Sequence, residues 1–137
     1  MRISRKLEYA CRVLAQLGRH QEAFSMVHID RLALAESIPS NYLVQILNEL
    51  RTKGLISSKR GKQGGYALAK NPEQISLLMI VEAVDAELLK VSYDSVGESG
   101  AKVAETWDSV RVKLVDHLSE ITLDSIIEKN DSKMYYI

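Results

Sequence analysis

A chain of 137 residues, 46% hydrophobic and 26% charged, is long enough for one packed domain with an appendage, and its single cysteine excludes an intrachain disulfide framework. The zero formal net charge hides a split: residues 1–70 carry twelve Lys/Arg against five Asp/Glu, net +7, whereas 71–137 carry six against thirteen, net −7, as expected when one half meets a polyanion and the other meets protein or solvent. No apolar run approaches the ~20 residues of a membrane span, and Arg2, Arg5 and Lys6 precede an amphipathic pattern and not an apolar signal core, so the expected setting is the cytoplasm with no membrane partner.

Ser4 is placed to cap a first helix, in which Leu7, Ala10, Cys11, Leu14 and Leu17 recur at spacings of three and four and Gly18 fits the end. Residues 19–27 read as a loop. Ile29, Leu32, Ala33 and Ala35 outline a short second helix starting at or near His28. Pro39 suits the first turn of a third helix, which carries Leu43, Ile46, Leu47 and Leu50 on one face and stops near Lys53-Gly54, with Gly54 as a left-handed terminator. Two helices separated by a few turn residues in a basic region give a helix-turn-helix outline. Residues 55–60 and 66–69 then read as strands flanking Gly61-Lys62-Gln63-Gly64-Gly65. A β-hairpin directly after a helix-turn-helix is a wing.

Asn71-Pro72 breaks the chain, and Ile75, Leu78, Met79, Glu82 and Ala83 predict a fourth helix over about 76–86. Residues 90–102, small and polar, read as a flexible linker. Over about 101–121, Val103, Trp107, Val110, Leu114, His117 and Ile121 alternate at spacings of four and three, a heptad seam that Leu118 broadens. Such a stripe needs cover, either from the chain's own first helix or from the same helix of a second copy. Thr122-Leu123-Asp124 starts a last short helix through Ile127, and the chain ends in the apolar Met134-Tyr135-Tyr136-Ile137. The expected fold is mainly α with a small β-hairpin wing: a winged helix-turn-helix DNA-binding domain over 1–88, a flexible loop over 89–102, and a long helix with its tail over 103–137, a dimerisation helix where a second copy supplies the cover.

The sequence carries no Walker-type phosphate loop, nucleophile elbow or zinc motif, and its glycine cluster sits in a hairpin and does not open a helix, so it is not a dinucleotide fingerprint. An enzyme is not expected. His20, His28 and His117 lack metal-ligand spacing. With the leucine face of the third helix buried, Ser40, Asn41, Val44, Gln45 and Asn48 face outward; Asn and Gln pair with adenine and Val can contact a thymine methyl. Lys59, Arg60 and Lys62 lie in or beside the wing, and Arg2, Ser4, Arg5, Lys6 and Arg51 are candidate phosphate contacts, which position without specifying. Tyr42, Gln63 and Gly64 complete the candidate DNA-binding set. Cys11 reads as a buried small hydrophobe; the sharper alternative, a redox switch, needs exposure and a lowered pKa.

The order and spacing of several segments resemble the Rrf-two family of winged-helix regulators. They are Glu8-Tyr9-Ala10, Ile38, Tyr42-Leu43, Gln45-Ile46-Leu47, Leu50-Arg51-Thr52-Lys53-Gly54-Leu55, Arg60-Gly61, Gly64-Gly65-Tyr66, Ile75, Val84-Asp85, Trp107 and Ile121-Thr122-Leu123. The resemblance implies a homodimer with crossed long helices, a recognition helix in the major groove of double-stranded DNA, wings reaching toward the minor groove, and repression more often than activation. It assigns Arg60 the place of a minor-groove arginine. Val44 stands where cluster-binding relatives often carry an acid, so a different operator is expected. Those relatives place three cysteines in the loop before the long helix; here the loop holds Ser92, Ser95 and Ser99, and Ala104 falls about where some carry a histidine. A hydroxyl does not replace a thiolate for iron, so neither an iron–sulfur cluster nor another cofactor is expected. An unidentified small-molecule or protein effector stays open as a further partner. So does a second reading, a winged-helix module that docks to an enzyme or another regulator, supported by the Ser-rich loop and the apolar tail.

Overall fold

The computed structural model describes residues 1–21 and 26–127. Helices α1 (Arg5–Arg19), α2 (Ile29–Glu36) and α3 (Ser40–Thr52) are followed by strands β1 (Ile56–Lys59) and β2 (Gly65–Leu68), then by α4 (Leu77–Val84) and α5 (Gly100–Glu120). Short 3-10 turns occupy Pro72–Gln74, Ala86–Leu89 and Leu123–Ser125. The Ser4 hydroxyl accepts the Leu7 N–H at 3.1 Å and caps α1, and Ser76 caps α4 by accepting from Met79 at 3.2 Å. Each satisfies a donor that the helix itself leaves unpaired. Gly54, at φ +77°, supplies the left-handed stop after α3.

One core unites Leu7, Ala10, Val13, Leu14 and Leu17 of α1 with Leu32 of α2, the four apolar residues Leu43, Ile46, Leu47 and Leu50 of α3, Leu55 and Ile56 at the root of the wing, and Ile80, Val81 and Val84 of α4. Cys11, expected on the buried stripe, lies half-buried at its edge. The buried face of α4 also differs from expectation. Glu82 is exposed and Leu78 only half-buried, while Ile80 and Val81 are inside. Residues 77–81 form an unbroken apolar run, and in such a run periodicity does not choose a face. Packing against α1 and α3 chooses it, and the helix ends at Val84, short of the expected residue 86.

The wing pairs β1 and β2 antiparallel, with Ile56 opposite Leu68 and Lys59 opposite Gly65. Val27, expected in a loop, adds a bridge to Tyr66 through two reciprocal backbone hydrogen bonds of 2.8 Å. Gly65 sits at φ +138°, and a Cβ there would run into the Val27 backbone, so this close approach requires glycine.

The stretch after α5 returns to the winged domain. Leu77 N–H donates to the Ile121 carbonyl at 2.9 Å, Leu123 N–H donates to Ile75 at 2.8 Å, and Leu123 is fully buried. The segment from residue 122, expected to belong with the dimerisation helix, is therefore part of the first domain's core, and the expected last helix is a 3-10 turn over Leu123–Ser125. Helix α5 starts at Gly100, inside the expected linker, and residues 91–99 are exposed. Residues 134–137 of the apolar tail lie outside the described residues. Among the described residues no helix is long and apolar enough to cross a membrane.

Candidate nucleic-acid interface

Because the core consumes the apolar face of α3, its other face is left to Ser40, Asn41, Val44, Gln45 and Asn48, all exposed. Tyr42 does not share that face. Its ring is half-buried and meets Tyr9 of α1 edge-to-face, with centroids 5.6 Å apart and planes at 82°, so it fixes the start of α3 from within. At the far end of α3, Arg51 donates to Ser58 Oγ and Asn48 Oδ1, each at 3.4 Å, and so links the helix to the first strand of the wing.

Lys59, Arg60, Lys62 and Gln63 are exposed along the hairpin tip. Among the described residues no acid pairs with these three cations. Gly64 is also an expected DNA contact. It is buried, its N–H donates to the Gly61 carbonyl at 3.0 Å, and a Cβ would strike the Lys59 backbone. It shapes the tip.

Two expected phosphate contacts near the start of α1 are engaged inside the fold. Ser4 Oγ donates to Asp85 Oδ2 at 2.9 Å, which ties α1 to the end of α4. Lys6 Nζ meets Glu49 Oε1 at 2.7 Å, which ties α1 to α3, while Glu49 Oε2 is buried without a hydrogen-bond partner among the described residues. Arg2 and Arg5 remain exposed.

Sequence reasoning missed Arg12. Its Nη1 donates to the Glu36 carbonyl at the end of α2 at 2.7 Å, its Nε and Nη2 donate to Glu8 Oε2 at 3.1 and 2.9 Å, and its guanidinium carbon lies 4.7 Å from the Tyr9 ring centroid. The residue after Glu36, Ser37, adopts the left-handed conformation that opens the turn to α3. Arg12 thus holds α1, the end of α2 and, through Tyr9 and Tyr42, the start of α3. The Glu8–Arg12 spacing of four was legible as a helix pair; the Glu36 contact depends on how α2 packs.

Beside Arg12 a cleft of about 570 Å³ opens between α1, α4 and α5, lined by Leu7, Cys11, Leu77, Val81, Leu114 and Leu118 among others. Burial, and then the nearby Glu8 carboxylate, push the Cys11 thiol up to about 11 from 9.0. Burial, Arg31 and Arg19 lower the His20 pKa. The heptad seam divides in two: Val103, Trp107 and Val110 expose about half their surface, whereas Leu114, Leu118 and Ile121 are half-buried and His117 is exposed.

The model of a family described as "Rrf2: Iron-dependent Transcriptional regulator" matches residues 3–129. A Mycobacterium tuberculosis protein named as an HTH-type transcriptional regulator, Rv1287, is 37% identical over 131 residues, covering 92% of this chain and 81% of its own. The HTH-type transcriptional regulator IscR of Pectobacterium atrosepticum is 28% identical over 135 residues, covering 96% and 82%. Among solved structures, CymR, the global cysteine regulator of B. subtilis, superposes with a TM-score of 0.77 at 25% identity, covering 92% of this chain and 95% of that one. IscR of T. potens gives 0.73 at 26%, covering 99% and 97%.

The iron in the family description finds no matching donors among the described residues. The loop before α5 offers hydroxyls at Ser92, Ser95 and Ser99, the chain's one thiol lies away from it on α1, and among the described residues no group of three or more His, Cys, Asp or Glu is placed to hold a metal ion. The matching family and the named relatives are transcriptional regulators. From α1 to the 3-10 turn after α5, the chain belongs to the Rrf2 family of transcriptional regulators.

Proposed function

We propose that this regulator binds specific duplex DNA sites in the cytoplasm as a homodimer, without an iron–sulfur cluster, and acts as a repressor, the more frequent mode in the family it resembles. Helix α3 enters the major groove with Ser40, Asn41, Val44, Gln45 and Asn48 toward base edges. The wing brings Arg60 toward the minor groove, whose negative potential attracts it, with Lys59, Lys62 and Gln63 beside it. Arg2, Arg5 and Arg51 meet phosphates. Ser4, Lys6, Tyr42 and Gly64 hold these surfaces from inside. The two copies join through the α5 stripe of Val103, Trp107 and Val110, bordered by Leu114, His117, Leu118 and Ile121.

The observation that carries this reading is the pairing of an amide-bearing exposed face on α3 with wing cations that have no acid partner among the described residues, the two joined by the Arg51–Ser58 contact. Genomic fragments selected by the full chain, followed by gel-shift titrations across a salt series, test it. Neutralised phosphates release counterions, so affinity for the selected fragments should fall steeply and linearly on a log–log plot. No enrichment of any fragment, or binding indifferent to salt, would reject it in favour of docking to another protein.

A further inference from the structure

Three side-chain amides stand on the exposed face of α3, and the fold treats them differently. Asn41, Gln45 and Asn48 follow one another at spacings of four and three, so they lie along one side of the helix. Asn41 and Gln45 make no side-chain hydrogen bond to the described residues. Asn48 is engaged. Arg51, one turn later, donates from Nη2 to Asn48 Oδ1 and from Nη1 to Ser58 Oγ of β1, each at 3.4 Å. Both bonds are long, so the guanidinium acts on Asn48 chiefly as a charge facing a dipole.

A guanidinium carries donors and no acceptor. It therefore selects one of the two orientations of the neighbouring amide: oxygen toward the cation and NH2 away from it, since the reverse sets N–H against N–H. Ser58, paired across the wing with Tyr66, tethers the other arm of Arg51 and keeps the cation in place. Asn48 is exposed, and its Nδ2 has no partner among the described residues. This decides what each amide offers to a base. Pairing with adenine uses the amide oxygen and nitrogen together, the oxygen accepting from N6 and the nitrogen donating to N7. Asn41 and Gln45 have both ends free for that. Asn48 has its oxygen turned to Arg51 and presents N–H groups alone. In the major groove guanine shows two acceptors side by side, N7 and O6; adenine shows an acceptor beside a donor, and cytosine a donor only.

We propose that Asn48 reads guanine, acting as a donor only, and that Arg51 is the positioning residue that makes it so. This assignment rests on the reading of α3 as the recognition helix and deepens it by naming the base that one side chain selects. Arg51 keeps further N–H groups for a phosphate while it holds Asn48. Because its other arm is bonded to Ser58, the placement of the wing enters base selection on α3 as well as contact with the backbone.

The test is selection from random-sequence duplexes by the full-length chain and by its Asn48→Ala and Arg51→Met variants. Both changes fall at exposed helix positions and are compatible with folding. The native chain should hold a guanine at one position where Asn48→Ala loses its preference while keeping the others. Arg51→Met should weaken binding throughout and, at that same position, move the preference from guanine toward adenine, because the freed oxygen can then accept from N6. An arginine that only met phosphate or only braced the fold would lower affinity without moving the preference. Replacing that guanine by 7-deazaguanine should weaken the native chain severalfold and leave Asn48→Ala unaffected. An Asn48→Ala preference that matches the native one everywhere, an adenine at the position it loses, or a guanine preference that survives Arg51→Met would each overturn the assignment while leaving sequence-specific binding intact. Enrichment of no sequence by the native chain would remove the recognition-helix reading along with it.

Discussion

Arg60 and Lys62 sit two residues apart on the wing, without acid partners among the described residues, yet they should behave differently when removed. If Arg60 reads a groove, Arg60→Ala should weaken binding to a selected site by about 1–3 kcal/mol and relax sequence preference there, whereas Lys62→Ala should weaken all sequences alike and reduce the salt slope by about 1. Gel-shift titrations at several salt concentrations separate the two; equal behaviour would remove the groove role from Arg60. Cys11 yields a reactivity prediction. With its pKa pushed from 9.0 up to about 11, less of it is thiolate at pH 8 than of an unperturbed thiol, and iodoacetamide should modify it at least about 10-fold more slowly, the greater nucleophilicity of a basic thiolate offsetting part of the deficit. Alkylation at the rate of a model thiol would show an exposed group. The linkage sign follows: the neutral thiol is preferred in the fold, so its contribution to stability is intact below pH 9.0 and is lost as the pH rises through about 11. Cys11→Ala should remove that share of the alkaline decline in a urea-unfolding series.

At the level of elements, the clearest dependence is that of the winged domain on residues that follow α5. Leu123 fills the core from a 3-10 turn whose backbone is bonded to Ile75, so Leu123→Ala should cost about 2–5 kcal/mol, as deletions at fully buried leucines do. Urea unfolding measures this, and a loss under about 0.5 kcal/mol, the size of an ordinary surface change, would mean that the segment does not belong to the core. Arg12 makes a similar argument for α1 and α2. Its guanidinium satisfies a carbonyl at the negative end of a helix, a charge-assisted bond whose value solvent reduces at a side chain 36% exposed. Arg12→Met, which keeps much of the stem, should cost about 1–2 kcal/mol in stability and loosen DNA binding. Unchanged DNA affinity would show that the turn between α2 and α3 holds its place unaided.

Across the whole molecule, charge and apolar surface are sorted into different halves. The +7 belongs to residues 1–70, which hold α3 and the wing, and the −7 belongs to residues 71–137, which include a long helix whose upper half leaves an apolar stripe uncovered. If two copies join as proposed, two half-sites are read at once and the second contact becomes intramolecular. Trp107→Asp should therefore yield a monomer by light scattering and lower affinity for a two-half-site fragment by about 100-fold or more, with little effect on a single half-site. A dimer that persists with full affinity would place the joining surface elsewhere.

The order of residues along the chain settled the helix-turn-helix and the wing, because their signals are local: Ser4 as a cap, apolar spacings of three and four in α1 and α3, Gly54 as a stop, and glycines at the hairpin. It also determined the outward face of α3, since Leu43, Ile46, Leu47 and Leu50 leave no other face for Asn41 and Gln45. Packing between distant segments chose the buried side of α4, joined Val27 to the wing, returned Leu123 to the first domain, turned Tyr42 and Lys6 inward and brought Arg12 to Glu36. Each of these depends on contacts between residues far apart in the chain, and periodicity along one segment carries no information about which distant segment will meet it.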